Sequence, residues 1–260
     1  MDASTIVRIG QSLFVALQQN TTIAPLTAQY PDITIEDAYH ISREFLRLRE
    51  TGNGERVVGK KIGVTSPPVQ EMLGVYQPDF GFLTDAMWVK DGEVSMAGLI
   101  APRAEAEIAF RLAKPLLGPG ITAEAVLDAT ETVIPCFEIV DSRIEDWKIR
   151  IEDTVADNAS CGVFLLGEDE RSPRGMDLAA LEVVVEKNGE FLSRGSGSAV
   201  QGAPQNAVAW LANTLGEFGI PLEAGEIVLS GSLVPLAPAM VGDMFALSIE
   251  GLGSAEIRFV

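Results

Sequence analysis

Glu105, Glu107 and Glu138 each interrupt a run of residues that otherwise reads as buried β-strand. The first two lie in Pro102–Phe110 (PRAEAEIAF) and the third in Val133–Val140 (VIPCFEIV). A buried carboxylate is costly unless something positive compensates it. The fold must therefore bring compensating charge to these groups. The chain holds a single histidine in 260 residues, so imidazole is scarce. The plainest compensation is a hard divalent cation, Mg²⁺ or Mn²⁺. That points toward a metal-assisted enzyme acting on an oxygen-rich, anionic small molecule.

Side chains at i and i+2 of a strand share a face. Glu105 and Glu107 then point the same way, while Ala106, Ile108 and Phe110 pack on the other side. A third carboxylate from another strand completes a facial set of oxygen ligands and leaves positions open for water and substrate. Taken alone, Glu-x-Glu reads first as a solvated strand face. Glu138, among Phe137, Ile139 and Val140, is harder to read that way.

The length suits one domain, or a large domain with a small lobe. A formal net charge of −18 argues against nucleic acid and anionic membranes as partners. It also means that any acid-binding site needs local positive charge. The two cysteines, Cys136 and Cys161, fit a reduced cytoplasmic protein better than a disulfide scaffold. No signal-peptide pattern opens the sequence, and no apolar run reaches the roughly 18 residues a membrane span needs.

Ile6, Ile9, Leu13, Ala16 and Leu17 predict an amphipathic helix over 4–19. Thr34–Asp37 signals the start of a second, with Ala38, Ile41, Phe45 and Leu46 as its apolar stripe and Thr51–Gly54 as its end. From Val57 the character changes to short strands, at 57–64, 104–112, 132–140, 181–187, 226–230, 243–250 and 254–260. Helices are expected at 122–130 and 205–218, the latter closed by Gly219 at C′ and Pro221 beyond. The reading is α+β: a helical N-terminal region over 1–56 and a strand-rich catalytic domain over 57–260.

Other residues offer chemistry. His40 falls within the second helix, where an exposed helical residue is the natural reading. Cys161 reads as a small buried hydrophobe. In Gly59–Gly63 (GKKIG), adjacent lysines alternate across the strand, so one faces solvent and its neighbour inward. An inward lysine near a metal could bind a substrate carboxylate or carry a depressed pKa; from these residues alone a solvated pair is the favoured reading. Asp79 stands in a turn-like stretch, either as a turn cap or as a polar group at the site mouth.

Five segments together resemble the hydratase/decarboxylase family of catechol meta-cleavage pathways, within the fumarylacetoacetate hydrolase superfamily. They are Gly59–Ser66 (GKKIGVTS), Val69–Gly81 (VQEMLGVYQPDFG), Pro102–Phe110, Glu138–Trp147 (EIVDSRIEDW) and Asp153–Ser160 (DTVADNAS). The resemblance implies a mixed β-roll or barrel-like fold for the larger domain. It implies Glu105, Glu107 and Glu138 as ligands of Mg²⁺ or Mn²⁺. Lys61, Asp79 and Ser160 match catalytic positions, and Leu73 and Ser232 match substrate-binding ones. Lys60 occupies a position that tolerates arginine. Pro67–Pro68 departs from the family pattern and implies a stiffer loop there.

The implied reaction adds water to 2-hydroxypenta-2,4-dienoate to give 4-hydroxy-2-oxopentanoate. Decarboxylation of 4-oxalocrotonate is the alternative. The stretch Ile227–Leu236 (IVLSGSLVPL) has the hydratase form, since the decarboxylases tend toward Ala-Gly-Gly there. The family also implies a homo-oligomer and association with 4-oxalocrotonate decarboxylase.

Overall fold

A computed structural model describes the backbone of residues 1–260 and all side chains except those of Pro68, Met72 and Leu73. Two long helices open the chain. Helix α1 (Ala3–Gln19) starts at Asp2, whose carboxylate accepts the Thr5 N–H at 2.9 Å, and ends at Asn20 in the left-handed conformation. The turn α2 (Leu26–Gln29) leads to α3 (Ile35–Asn53). Thr34 and Asp37 form a reciprocal capping box at its start, and Gly54 ends it with φ 72°, as the sequence signals required.

The strand-rich part follows in order: β1 (Val57–Gly63), α4 (Pro67–Leu73), β2 (Asp79–Thr84), β3 (Trp88–Val89), β4 (Glu93–Val94), β5 (Arg103–Leu112), α5 (Ala123–Ala129) and β6 (Thr130–Val140). Next come α6 (Ile151–Ala156), β7 (Cys161–Leu166), β8 (Glu182–Lys187), β9 (Glu190–Ser196), α7 (Pro204–Glu217), β10 (Ile227–Leu229), β11 (Ala237–Pro238), β12 (Met244–Ile249) and β13 (Gly253–Phe259). The fold is α+β, with strands in a mixed eight-stranded sheet and a five-stranded sheet. The larger runs β2-β1-β10-β5-β6-β7-β3, with β11 paired to β5; the smaller runs β4-β13-β12-β8-β9.

Phe137 of β6 meets Phe245 of β12 edge-on at 6.4 Å, and Phe245 meets Phe259 at 5.8 Å. Ala106, Ile108 and Phe110 join that same core, on the face of β5 turned away from the glutamates. A second core holds Ile9, Leu13 and Phe45 from the N-terminal helices together with Ile144, Val155 and Ala156. The N-terminal helices thus pack against the connection that follows β6. Among the described residues, no helix is long and apolar enough to cross a membrane.

Three local readings are corrected. Lys60 does not face solvent: both lysines are buried, and Lys60 pairs with Glu226. The cause is the position of β1 between β2 and β10, in a stretch where every residue from Gly59 to Gly63 is buried. Pro67 opens α4 as its first residue, where the missing N–H costs nothing, so the segment is helical and not a loop. Asp79 caps no turn; it is the first residue of β2, paired with Gly63 and buried.

Candidate active site

The hydrogen-bond register of β5 and β6 assembles the carboxylates. Glu105 is paired directly with Glu138, and Glu107 lies two residues along the same face. One oxygen from each lies within 4.8 Å of the others. All three side chains are buried, at 5%, 0% and 1% exposure. Gly231 donates its N–H to Glu107 Oε2 at 2.7 Å, but Glu107 Oε1 and both oxygens of Glu138 accept no hydrogen bond among the described residues. Burial, and then Glu138, pushes the Glu105 carboxyl up to about 8. Glu107 is also raised well above the usual carboxylate range, by burial and by both neighbours. Three buried carboxylates, two of them with unsatisfied oxygens, form a hard-cation donor set.

Lys61 reaches the cluster from β1, with Nζ 3.3 Å from Glu138 Oε1. Burial alone would lower its pKa, but Glu138, Cys161 and Asp79 outweigh burial and raise it. The side chain is therefore an ammonium, and the depressed pKa considered from sequence is not what its surroundings produce. Asp79 Oδ2 accepts from Thr154 Oγ1 at 2.9 Å, while Oδ1 has no hydrogen-bond partner. Burial raises the Asp79 carboxyl, against the pull of Lys61. Gly63 makes room for both: a Cβ there would collide with Asp79 Oδ1 and lie 3.1 Å from Lys61 Nζ.

Ser160 is brought in by an unusual turn. Asn158, Ala159 and Ser160 have φ of 53°, 50° and 52°, a left-handed run that L-residues adopt only at a cost. Asn158 pins the turn by bonding both the N–H and the carbonyl of Phe82. Val64 (φ 57°) and Trp147 (φ 55°) are also left-handed. Such strain gathers at functional sites, and Val64, Trp147, Ala159 and Ser160 all line one small cavity. Lys61, Asp79, Glu105 and Thr154 give that cavity its polar lining, and Val69, Val140 and Leu236 an apolar one. The enclosed space is about 20 Å³, room for a single water.

The other sequence candidates fall outside this lining. Ser232 is buried, and its hydroxyl donates to the Val234 carbonyl at 2.7 Å. The side chain of Leu73 lies outside the described residues. His40 is exposed beside an open groove of about 920 Å³ that none of the three glutamates lines. Cys161 is buried and unpaired, its thiol pushed up by burial. Thr154 and Trp147 were not singled out from sequence. A threonine bonded to a distant aspartate carries no mark of its own, although Thr154 lies within Asp153–Ser160 and Trp147 ends Glu138–Trp147, both segments recognised by their resemblance.

The family model of the fumarylacetoacetate (FAA) hydrolase C-terminal domain matches residues 68–260. A 2-hydroxyhexa-2,4-dienoate hydratase of Comamonas testosteroni is 62% identical over 99% of this chain and 98% of its own. A 2-hydroxypent-2,4-dienoate hydratase of Pseudomonas putida is 60% identical over 85% of this chain and 100% of its own. Among solved structures, 4-oxalocrotonate decarboxylase from Pseudomonas putida G7, complexed with magnesium and adipate, superposes with a TM-score of 0.95 at 37% identity, covering 100% of this chain and 99% of that one.

Proposed function

This chain belongs to the fumarylacetoacetate hydrolase family, and on that premise we propose that it is a divalent-cation-dependent hydro-lyase of aromatic meta-cleavage catabolism. Its substrate is 2-hydroxypenta-2,4-dienoate, the enol of 2-oxopent-4-enoate, and its product 4-hydroxy-2-oxopentanoate. The observation that carries the reading is the buried cluster of Glu105, Glu107 and Glu138, with three oxygens unsatisfied beside a lysine-lined cavity. The closer similarity to hydratases than to the decarboxylase supports hydration over decarboxylation.

The donor set fits Mg²⁺ or Mn²⁺ and would hold it through Glu105, Glu107 and Glu138. When bound, such a cation supplies Lewis-acid polarisation of the substrate's carboxylate and C2 oxygen. Lys61, held as an ammonium, attracts the anionic substrate and stabilises charge developing on it. Lys61 and Asp79 are the pair we assign to proton handling. C5 gains a proton as the C2 hydroxyl loses one; water then places its hydroxyl on C4 and a proton on C3. The free Oδ1 of Asp79 suits it to orient that water, with Thr154 fixing its other oxygen. Ser160 is assigned a hydrogen bond to substrate or water.

The same reading makes the protein a cytoplasmic homo-oligomer. Its two buried, unpaired cysteines support the first part, and the adjacent exposed pair Met240 and Val241 supports the second.

An ultraviolet assay with freshly generated 2-hydroxypenta-2,4-dienoate tests the proposal, run with Mg²⁺, with Mn²⁺ and with EDTA, and with the product identified by NMR. Cation-dependent loss of the dienol signal with formation of 4-hydroxy-2-oxopentanoate is expected. Full activity in metal-stripped protein would sink the scheme. Turnover of 4-oxalocrotonate in place of the dienoate would replace hydration with decarboxylation.

A further inference from the structure

The apolar lining of the cavity forms a cluster of its own: Val69, Val140 and Leu236, with Trp147 packed against them. Trp147 is held there at a cost. It and Asp146 both have positive φ, 55° and 57°, and strain of this kind persists only where the surroundings over-determine it. The surroundings do. The indole N–H donates to the Ala101 carbonyl at 3.0 Å, and the Arg103 guanidinium lies 4.3 Å from the ring centroid. Among the described residues that guanidinium makes no ion pair or hydrogen bond, which leaves the ring as its contact. Arg103 begins β5, two residues before Glu105. The ring is thereby registered to the strand that carries two of the glutamates.

The enclosed space is about 20 Å³, far below what a five-carbon acid occupies, so a substrate must displace part of the lining. Lys61, Asp79 and Glu105 are fixed in hydrogen-bonded strands. Trp147 sits in the connection between β6 and α6. A second carboxylate pressed against Val69, Val140 and Leu236 would lose its hydration to side chains that offer no donor. A hydrocarbon end suffers no such penalty.

We propose that Trp147 is the specificity-determining wall of the site, selecting 2-hydroxydienoic acids with a hydrocarbon end, and that Arg103 is its positioning residue. The substrate class rests on the hydratase reading above.

Steady-state kinetics of the full chain with Mg²⁺ test this, using 2-hydroxypenta-2,4-dienoate, its methylated homologue 2-hydroxyhexa-2,4-dienoate, and 4-oxalocrotonate. Trp147→Ala is expected to raise the kcat/KM ratio of the six-carbon to the five-carbon dienoate about tenfold, mainly through KM. Arg103→Met shifts the ratio the same way by about threefold, and Arg103→Lys restores it. Independently of turnover, in a Trp88→Phe/Trp210→Phe background the remaining indole emission responds to 2-oxopentanoate, an unreactive short 2-oxo acid. A ratio unchanged within twofold in Trp147→Ala, or an indole signal blind to 2-oxopentanoate, overturns the proposal. So does an Arg103→Met variant whose KM rises for 4-oxalocrotonate alone, because the guanidinium would then be reading a second carboxylate. A wild-type protein that hydrates no dienoate but keeps the indole response overturns the hydratase reading and leaves Trp147 as the wall of a site for another short 2-oxo acid.

Discussion

Glu105 and Glu138 are direct cross-strand partners on β5 and β6, both buried, with Lys61 beside Glu138 as the one ion-paired cation among the described residues. Like charges in this relationship destabilise a sheet, and Glu107 adds a third. In the metal-free site burial and this mutual repulsion push all three carboxyls above the usual carboxylate range. Glu107→Gln keeps the acceptor for the Gly231 N–H and removes the buried ionisable group. We predict that its melting temperature in EDTA equals or exceeds that of the wild type by a few degrees. The stabilisation that Mg²⁺ gives the wild type should be lost, and activity should fall on the order of 100-fold or more. Thermal scans with Mg²⁺ and with EDTA check this; a variant melting well below the wild type in EDTA contradicts it.

Lys61 competes with any cation for the same carboxylates, since its Nζ lies 3.3 Å from Glu138 Oε1. Lys61→Met removes that competitor along with the proton donor. Activity is expected to fall roughly 10²- to 10⁴-fold, while Mn²⁺ affinity, read by titration, stays equal or rises. A parallel loss of metal binding and activity would show that the lysine acts only by supporting the site's structure.

Gly63 lacks positive φ, so space and not backbone freedom explains it: a side chain there would strike Asp79 Oδ1. Gly63→Ala should displace Asp79 and lower kcat about 100-fold, because small misplacements of reacting groups are costly. The glutamate cluster lies on other strands, so Mn²⁺ affinity should remain within about threefold. Equal kcat in the variant would remove Asp79 from the mechanism.

Much of this site is legible in the sequence because it breaks a pattern. A carboxylate inside an apolar β run is visible, and three such residues limit what can hold them. Lys60 is not legible in the same way, because its burial depends on Glu226, far along the chain and next to the strand beside β1. Asp79 follows Gln77-Pro78 and so looks like turn; only pairing with β1 makes it the start of a strand. The left-handed turn at Asn158–Ser160 contains no glycine to announce it. The strand β9 was missed for another reason. Its Phe191 and Leu192 are exposed, so no alternation marks it, although Asn188-Gly189 with φ of 57° and 79° is the expected hairpin turn.

The joint between the N-terminal helices and the sheet gives a pH-dependent prediction away from the metal site. Arg49, near the end of α3, donates to Glu55 Oε2 at 2.8 Å, and Thr84, the last residue of β2, donates to the same oxygen. Both charged side chains are about 6% exposed. Burial alone would raise the Glu55 carboxyl, but Arg49, with Thr84 and Asn53, holds it below the usual carboxylate range. A carboxyl lowered on folding contributes stability that is present above its unfolded pKa of about 4.3. That contribution is lost as pH falls through the folded value. Glu55→Gln leaves the Arg49 charge buried without its partner and should cost about 1–3 kcal/mol at pH 7. In urea unfolding at pH 7, 5 and 3.5, the gap between wild type and variant should be full at the first, nearly full at the second and smaller at the third. A gap that widens toward acid would mean that the carboxyl is raised on folding, and that burial outweighs Arg49.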